Sequence, residues 1–220
     1  MTSEPIVYVV DDDPAVRDAL SATIRALNLD AACFGTAQEF RDAFDPLRVS
    51  CLVLDLRLPE MDGGELQQRL LEEGVQIPVI IITGHADVSA CVRAMKRGAV
   101  DFLEKPYAPQ RLIESIERAL EIDRRRRREQ SRQEEFDQRL AQLTPAERTV
   151  MEMLVAGCTN AEVAKALGVS LRTMHTRRAS LFAKLDVQNR AQLSHKVIEF
   201  THRPDADQAT TPSVSPQEEP

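Results

Sequence analysis

The chain is poor in the residues that several large classes of protein need. Its 220 residues include no tryptophan, two tyrosines and seven phenylalanines. Surfaces that stack unpaired bases are built from such rings, so their scarcity argues against single-strand nucleic-acid binding. Four cysteines, at positions 33, 51, 91 and 158, lie far apart, and no two form a CxxC. That excludes a zinc ribbon or a disulfide framework and reads as reduced, mostly buried thiols in a cytoplasmic protein. Apolar runs such as Val79 to Ile82 fall far short of the roughly 20 residues that span a bilayer. The start Met1-Thr2-Ser3-Glu4-Pro5 has neither a basic nor an apolar segment, so no secretory signal is expected there. No period of 20–50 residues repeats along the chain.

What is present is enough for a buried core: 43% of residues are apolar and 29% charged. The length fits one large domain or two small ones. The net charge of −7 argues against a nucleic-acid binder only while it is read as a whole. Residues 1–123 carry −10, residues 124–142 carry +3, residues 143–203 carry +4 and the tail carries −4. An acidic front joined to a basic back points to two jobs.

The front alternates short apolar runs with amphipathic stretches. The runs Ile6–Val10, Ala31–Phe34, Cys51–Leu54, Pro78–Ile82 and Val100–Leu103 suit buried strands. Between them, sets such as Val16, Leu20, Ile24 and Leu27 recur at helical spacing. Five such units predict a doubly wound α/β domain with a mainly parallel sheet over residues 1–123. From Glu121 to Gln142 the apolar period fades, but neither proline nor glycine interrupts it, so 124–142 reads as a polar helical linker. Its five arginines, 124–128, are expected to form a solvated face, with a DNA or partner contact as the alternative. Residues 143–203 read as an all-helical unit opened by the capping boxes Thr144/Glu147 and Thr159/Glu162. Ser170 is expected to cap a longer helix through Leu185, and a last helix to run from Arg190 to Phe200. The proline-rich tail, 204–220, is expected to be disordered.

In a doubly wound sheet, ligands bind outside the carboxyl ends of the strands. Asp11, Asp12 and Asp13 follow the first run, Asp55 ends the third, Thr83 ends the fourth and Lys105 follows the fifth. Converging carboxylates repel and call for a cation. Oxygen-only ligands with room for water point to Mg²⁺ or Mn²⁺. An aspartate beside that ion can attack a phosphoryl group to form an acyl phosphate, with Lys105 and Thr83 meeting the phosphoryl oxygens. Asp13, before Pro14, is expected to cap a helix. Arg57 and His85, two positions beyond Asp55 and Thr83, can overhang such a group; simple exposure is the equal alternative.

The sequences Val9-Val10-Asp11-Asp12-Asp13, Leu54-Asp55-Leu56-Arg57-Leu58-Pro59-Glu60-Met61-Asp62-Gly63, Ile82-Thr83-Gly84-His85 and Lys105-Pro106-Tyr107 resemble the receiver domain of two-component response regulators. The resemblance implies a flavodoxin-like fold, Asp55 as phosphoacceptor and Asp11 and Asp12 as Mg²⁺ residues, with the Arg57 main-chain carbonyl as a further ligand. It also implies Thr83 and Phe102 as a switch pair and a cis peptide before Pro106. An aspartate-nucleophile phosphatase is the competing enzyme reading. Such enzymes usually place a second acid two residues after the nucleophile, and Arg57 stands there.

In the back half, if Met174, Leu181 and Leu185 face the core, the opposite side carries Arg172, Thr176, Ala179 and Ala183, flanked by Thr173, His175 and Ser180. Small residues mid-face let a helix sit deep in the major groove, with Arg177, Arg178 and Lys184 at the margins for phosphates. The segments Leu143 to Arg148, Val155 to Ala164, Ser170 to Met174 and Lys184-Leu185 resemble the LuxR-type DNA-binding domain. It departs from the family pattern at Met174, His175 and Arg177, so its operator is not inherited from relatives. Together the two halves resemble a FixJ-type response regulator. That implies a histidine kinase partner, a double-stranded operator, no membrane, and a homodimer on phosphorylation. The implied dimer face is Ala86–Arg97, Val100–Phe102 and Tyr107–Leu120, with a second contact through Leu193, Val197 and Ile198 or simple packing of that helix. A regulator that binds DNA without phosphorylation is the third reading, and the complete acidic pocket counts against it.

Overall fold

A computed structural model describes residues 4–59, 61–84 and 88–201. His85, Ala86 and the expected disordered tail lie outside the described residues. The chain divides into two compact units that meet between Arg128 and Glu129.

The first unit is a five-stranded parallel sheet, β1 (Ile6–Val10), β2 (Asp30–Phe34), β3 (Ser50–Asp55), β4 (Val79–Thr83) and β5 (Asp101–Glu104), in the order β2-β1-β3-β4-β5. Strands β1, β3 and β4 are buried throughout, which is why they read as unbroken apolar runs rather than alternating ones. Helices α1 (Pro14–Ala26), α2 (Ala37–Ala43), α3 (Gly63–Glu72), α4 (Val88–Lys96) and α5 (Pro109–Ala141) follow the strands in turn. Two apolar layers form, one on each sheet face. One of them gathers Tyr8, Phe34, Phe40 and Phe44 into a single ring cluster, with centroids 5.4–6.4 Å apart. Four of the nine aromatic residues thus share one core layer, where offset and edge-on pairs add to the area buried.

The helix starts follow local chemistry. Asp13, Thr36 and Asp62 cap α1, α2 and α3 by accepting the amide protons of Ala15, Glu39 and Gly64. The order of the strands reverses between β1 and β3, and this switch point is where the sheet opens a crevice at its carboxyl edge.

Helix α5 continues through the segment expected as a linker. Its exposed part is laced by Gln130–Glu134, Gln133–Asp137 and Glu135–Arg139 pairs at i,i+4 spacing. The arginine run within it is not uniformly solvated. Arg126 and Arg127 bind the buried carboxylate of Asp123, whose Oδ2 also accepts the Ser50 amide at 3.0 Å.

The second unit contains the end of α5, then α6 (Pro145–Val155), α7 (Asn160–Ala166), α8 (Leu171–Leu185) and α9 (Arg190–Thr201). Both capping boxes form, and Ser170 caps α8. Met174, Leu181 and Leu185 are fully buried, as expected. Phe136 of α5 is in the same core and stacks on Phe200 with centroids 4.8 Å apart. Leu193 and Val197 pack into that core, whereas Ile198 is exposed.

Candidate functional site

The carboxyl ends of β1, β3, β4 and β5 bring Asp11, Asp55, Thr83 and Lys105 to one edge of the sheet. Lys105 Nζ lies 2.6 Å from Asp11 Oδ2 and 2.6 Å from Asp55 Oδ2. The second oxygen of each carboxylate accepts the amide two residues downstream: Asp13 N to Asp11 Oδ1 at 3.0 Å, and Arg57 N to Asp55 Oδ1 at 2.9 Å. Both aspartates are therefore held at both oxygens, and both are buried. Burial pushes the Asp11 carboxyl above its ordinary range, an effect that Lys105 opposes. Burial also works against the Lys105 ammonium, yet the two carboxylates together hold its pKa above the usual lysine value.

The carboxylates at this edge differ in their surroundings. Asp12 is exposed, and the mutual repulsion of Asp11 and Asp55 is met by the Lys105 ammonium. Among the described residues no three acidic, histidine or cysteine side chains form a metal cage. Mg²⁺ does not require one, since it keeps several waters and uses one or two carboxylates. Asp11 and Asp55 supply such carboxylates, with the exposed Asp12 and the Arg57 carbonyl beside them in sequence, so the donors suit a hard cation.

Thr83 is buried, and its carbonyl accepts the Lys105 amide at 2.8 Å, which ties β4 to the Lys105 loop. Phe102 on β5 is half-buried against one core layer. The Lys105–Pro106 peptide is cis. Gly63 packs so closely behind the Asp55 loop that a Cβ there would lie 2.2 Å from the Asp55 carbonyl oxygen.

Sequence reasoning missed one residue at this edge. Arg17 of α1 donates from Nη1 to the carbonyls of Asp11 and Asp12. Gln67 of α3 donates to the Ala94 carbonyl, and Arg97 donates back to the Gly64 carbonyl, bracing α3 against the end of α4. Arg17 sits four residues after the Asp13 cap, one turn along the same helix, which is the only local signal it offers.

In the helical unit, Arg172, Thr173, His175, Thr176, Ala179 and Ala183 are exposed along α8. Arg177 and Arg178 are half-buried, with the Arg178 guanidinium 5.7 Å from the Phe182 ring centroid. Lys184 stands apart from this set. Its ammonium donates to Glu147 Oε2 at 2.7 Å and to the Gln142 carbonyl at 3.1 Å. Glu147 also accepts Ser180 Oγ at 2.6 Å and the Thr144 amide and hydroxyl. Lys184, then Ser180, hold the Glu147 carboxyl far below its usual range, at about 2. The capping-box glutamate thus joins the start of α6 to the second half of α8.

Comparison with known proteins agrees with both halves. Residues 7–117 match the response regulator receiver domain, and residues 141–197 match the bacterial regulatory proteins of the luxR family. The transcriptional regulatory protein FixJ of Bradyrhizobium diazoefficiens is 38% identical over 193 residues, covering 88% of this chain and 94% of that protein. The transcriptional regulatory protein TdiR of Thauera aromatica is 34% identical over 211 residues, covering 96% and 93%. Among solved structures, the response regulator StyR superposes with a TM-score of 0.83 at 37% identity, covering 89% of this chain and 98% of that one. Full-length FixJ from B. japonicum gives a TM-score of 0.55 at 37% identity, covering 91% and 98%. Matched along nearly its whole length in both parts, the chain belongs to the FixJ-type two-component response regulators, transcriptional regulators that join a phosphorylation-dependent receiver to a LuxR-type DNA-binding domain.

Proposed function

We propose that Asp55 is the phosphoacceptor and that its phosphorylation switches operator binding by the helical unit. The observation that carries this is the shared ammonium: one lysine between two buried carboxylates, with a third carboxylate exposed nearby. Such a pocket holds more negative charge than its own residues neutralise, which suits it to a cation and a phosphoryl group.

A carboxylate oxygen of Asp55 attacks the phosphorus of a phosphohistidine on a partner kinase. The P–N bond breaks, the electron pair leaves with the imidazole, and an acyl phosphate forms on Asp55. Lys105 then serves a phosphoryl oxygen, while Thr83 moves its hydroxyl toward the new group and Phe102 turns inward. Mg²⁺, or Mn²⁺, held by Asp11, Asp12, Asp55 and the Arg57 carbonyl, supplies charge neutralisation when bound. Because Arg57 stands where a phosphatase would carry its second acid, the chain accepts a phosphoryl group without acting as a turnover enzyme.

Phosphorylation favours a homodimer through the α4–β5–α5 face, on which Val92 and Met95 are 46% and 44% exposed apolar side chains. Pairing two DNA-binding units matches a two-fold operator and raises their effective concentration. Arg172, Thr173, His175, Thr176, Arg177, Arg178 and Ala179 of α8 make the contacts. Lys184 is assigned instead to holding Glu147, since its ammonium is already engaged there. The protein acts in the cytoplasm, and no helix among the described residues is long and apolar enough to cross a membrane.

Incubation with acetyl phosphate and Mg²⁺ tests the assignment. Intact-mass analysis is expected to show one added phosphoryl group, and peptide mapping after borohydride trapping to place it at Asp55. Label on another residue, or steady release of phosphate from a simple phosphate ester, would overturn it.

A further inference from the structure

We infer that Arg17 is a positioning residue for the divalent cation, acting through the backbone that carries Asp11 and Asp12. The inference rests on the proposed metal-and-phosphate reading of the pocket. Its geometry is direct. A single nitrogen, Arg17 Nη1, donates to the Asp11 carbonyl at 2.7 Å and to the Asp12 carbonyl at 2.9 Å. The Asp11 amide still donates to the Phe34 carbonyl of β2 at 3.2 Å, whereas Asp12 lies between that last ladder bond and the Asp13 cap of α1, where neither a strand ladder nor a helix fixes the chain.

The Asp11 and Asp12 carboxylates differ in what else holds them. Asp11 is fixed through its side chain by Lys105 and the Asp13 amide. Among the described residues no hydrogen bond or ion pair holds the Asp12 carboxylate, so its position depends on its backbone alone, and Arg17 is what pins that backbone. Arg17 is itself anchored: its amide donates to the Asp13 carbonyl at 3.1 Å, within the first turn of α1. The chain of restraint runs from helix α1 through one guanidinium nitrogen to the acidic loop. Groups that orient metal ligands without touching the metal typically set affinity by one to two orders of magnitude.

The test is Mg²⁺ titration of the full-length, unphosphorylated protein by calorimetry, paired with the rate of phosphorylation by acetyl phosphate at rising Mg²⁺. Arg17→Leu is expected to raise the Mg²⁺ Kd about tenfold. At saturating Mg²⁺ its phosphorylation rate should return to within about twofold of the unaltered protein. Arg17→Lys should keep most of the affinity, because one nitrogen makes both hydrogen bonds and an ammonium can supply it. Arg17→Gln, a shorter donor, should fall between them and carries the test if the leucine variant does not fold. An unchanged Kd in Arg17→Leu or Arg17→Gln would overturn the inference, and so would a slow rate that Mg²⁺ does not restore. Failure of the unaltered protein to bind Mg²⁺ would instead overturn the reading of the pocket on which the inference stands.

Discussion

In the sheet unit one ammonium, Lys105, serves two carboxylates at 2.6 Å each; in the helical unit one ammonium, Lys184, serves a single carboxylate at 2.7 Å. Both groups are largely withdrawn from water, and their residues come from comparable chemistry. Their electrostatic outcomes are opposite. Glu147 collects Lys184, Ser180 and Thr144, and its pKa falls to about 2. Asp11 shares its lysine with Asp55, and burial leaves its pKa raised. A saturated carboxylate holds a fold together. An undersupplied one stores charge that a ligand can relieve, which is how perturbed groups come to mark functional sites.

The largest effect that separates the two is chemical. Asp55→Asn should abolish phosphorylation by acetyl phosphate, read by intact mass. It should also leave the thermal midpoint of the sheet unit unchanged or raised, because it removes the excess negative charge. Glu147→Gln should do the reverse. It should destabilise the helical unit by about 3 kcal/mol, since it breaks a buried pair, while phosphorylation of Asp55 proceeds normally. Calorimetric unfolding of each variant reads both outcomes. A loss of stability in Asp55→Asn as large as in Glu147→Gln would break the comparison.

The pH response sharpens it. A carboxyl whose folded pKa lies below its unfolded value of about 4.3 contributes stability that is fully present above that value. For Glu147 this contribution should drain away as pH falls toward 2, and Glu147→Gln should lose that part of the acid dependence. Chemical denaturation at stepped pH, followed by helical circular dichroism, measures it.

Two smaller effects probe each site's surroundings. Gly63→Ala places a Cβ against the Asp55 carbonyl, so the acceptor loop must shift, and phosphorylation should slow about tenfold with little change in helical-unit stability. Arg172→Ala should weaken operator binding. If Arg172 meets a phosphate, the slope of log affinity against log salt should fall by about 1. A loss confined to one base position would assign it to base reading instead.

What could be read from the sequence follows the range of the interactions concerned. Strand cores and helix caps are written within a few residues, and the structure has them where the spacing expects them. The edge residues Asp11, Asp55, Thr83 and Lys105 were legible because a parallel sheet delivers every strand end to the same side. Glu147 was legible only as a cap: Ser180 and Lys184 lie 33 and 37 positions away, and no local pattern reports such a meeting. The same distance made Lys184 look like a free marginal cation. Asp123 was hidden for the same reason, its partner Ser50 being 73 positions distant. Arg17 leaves no signature in the sequence because it acts on main-chain carbonyls, which every residue has and no sequence distinguishes.

If a phosphoryl group on Asp55 governs DNA binding, operator affinity must follow the state of that one residue. DNA selected from a random pool by the phosphorylated protein serves as the probe. Its affinity is then measured at one fixed salt concentration for the protein with and without phosphodonor and Mg²⁺, and for Asp55→Asn under both conditions. Binding by the phosphorylated protein is expected to be about tenfold or more tighter, as for two linked units acting on one site. Asp55→Asn is expected to show no change. Equal affinity with and without phosphodonor, or an Asp55→Asn protein that binds as tightly as the phosphorylated one, would contradict control by that phosphoryl group.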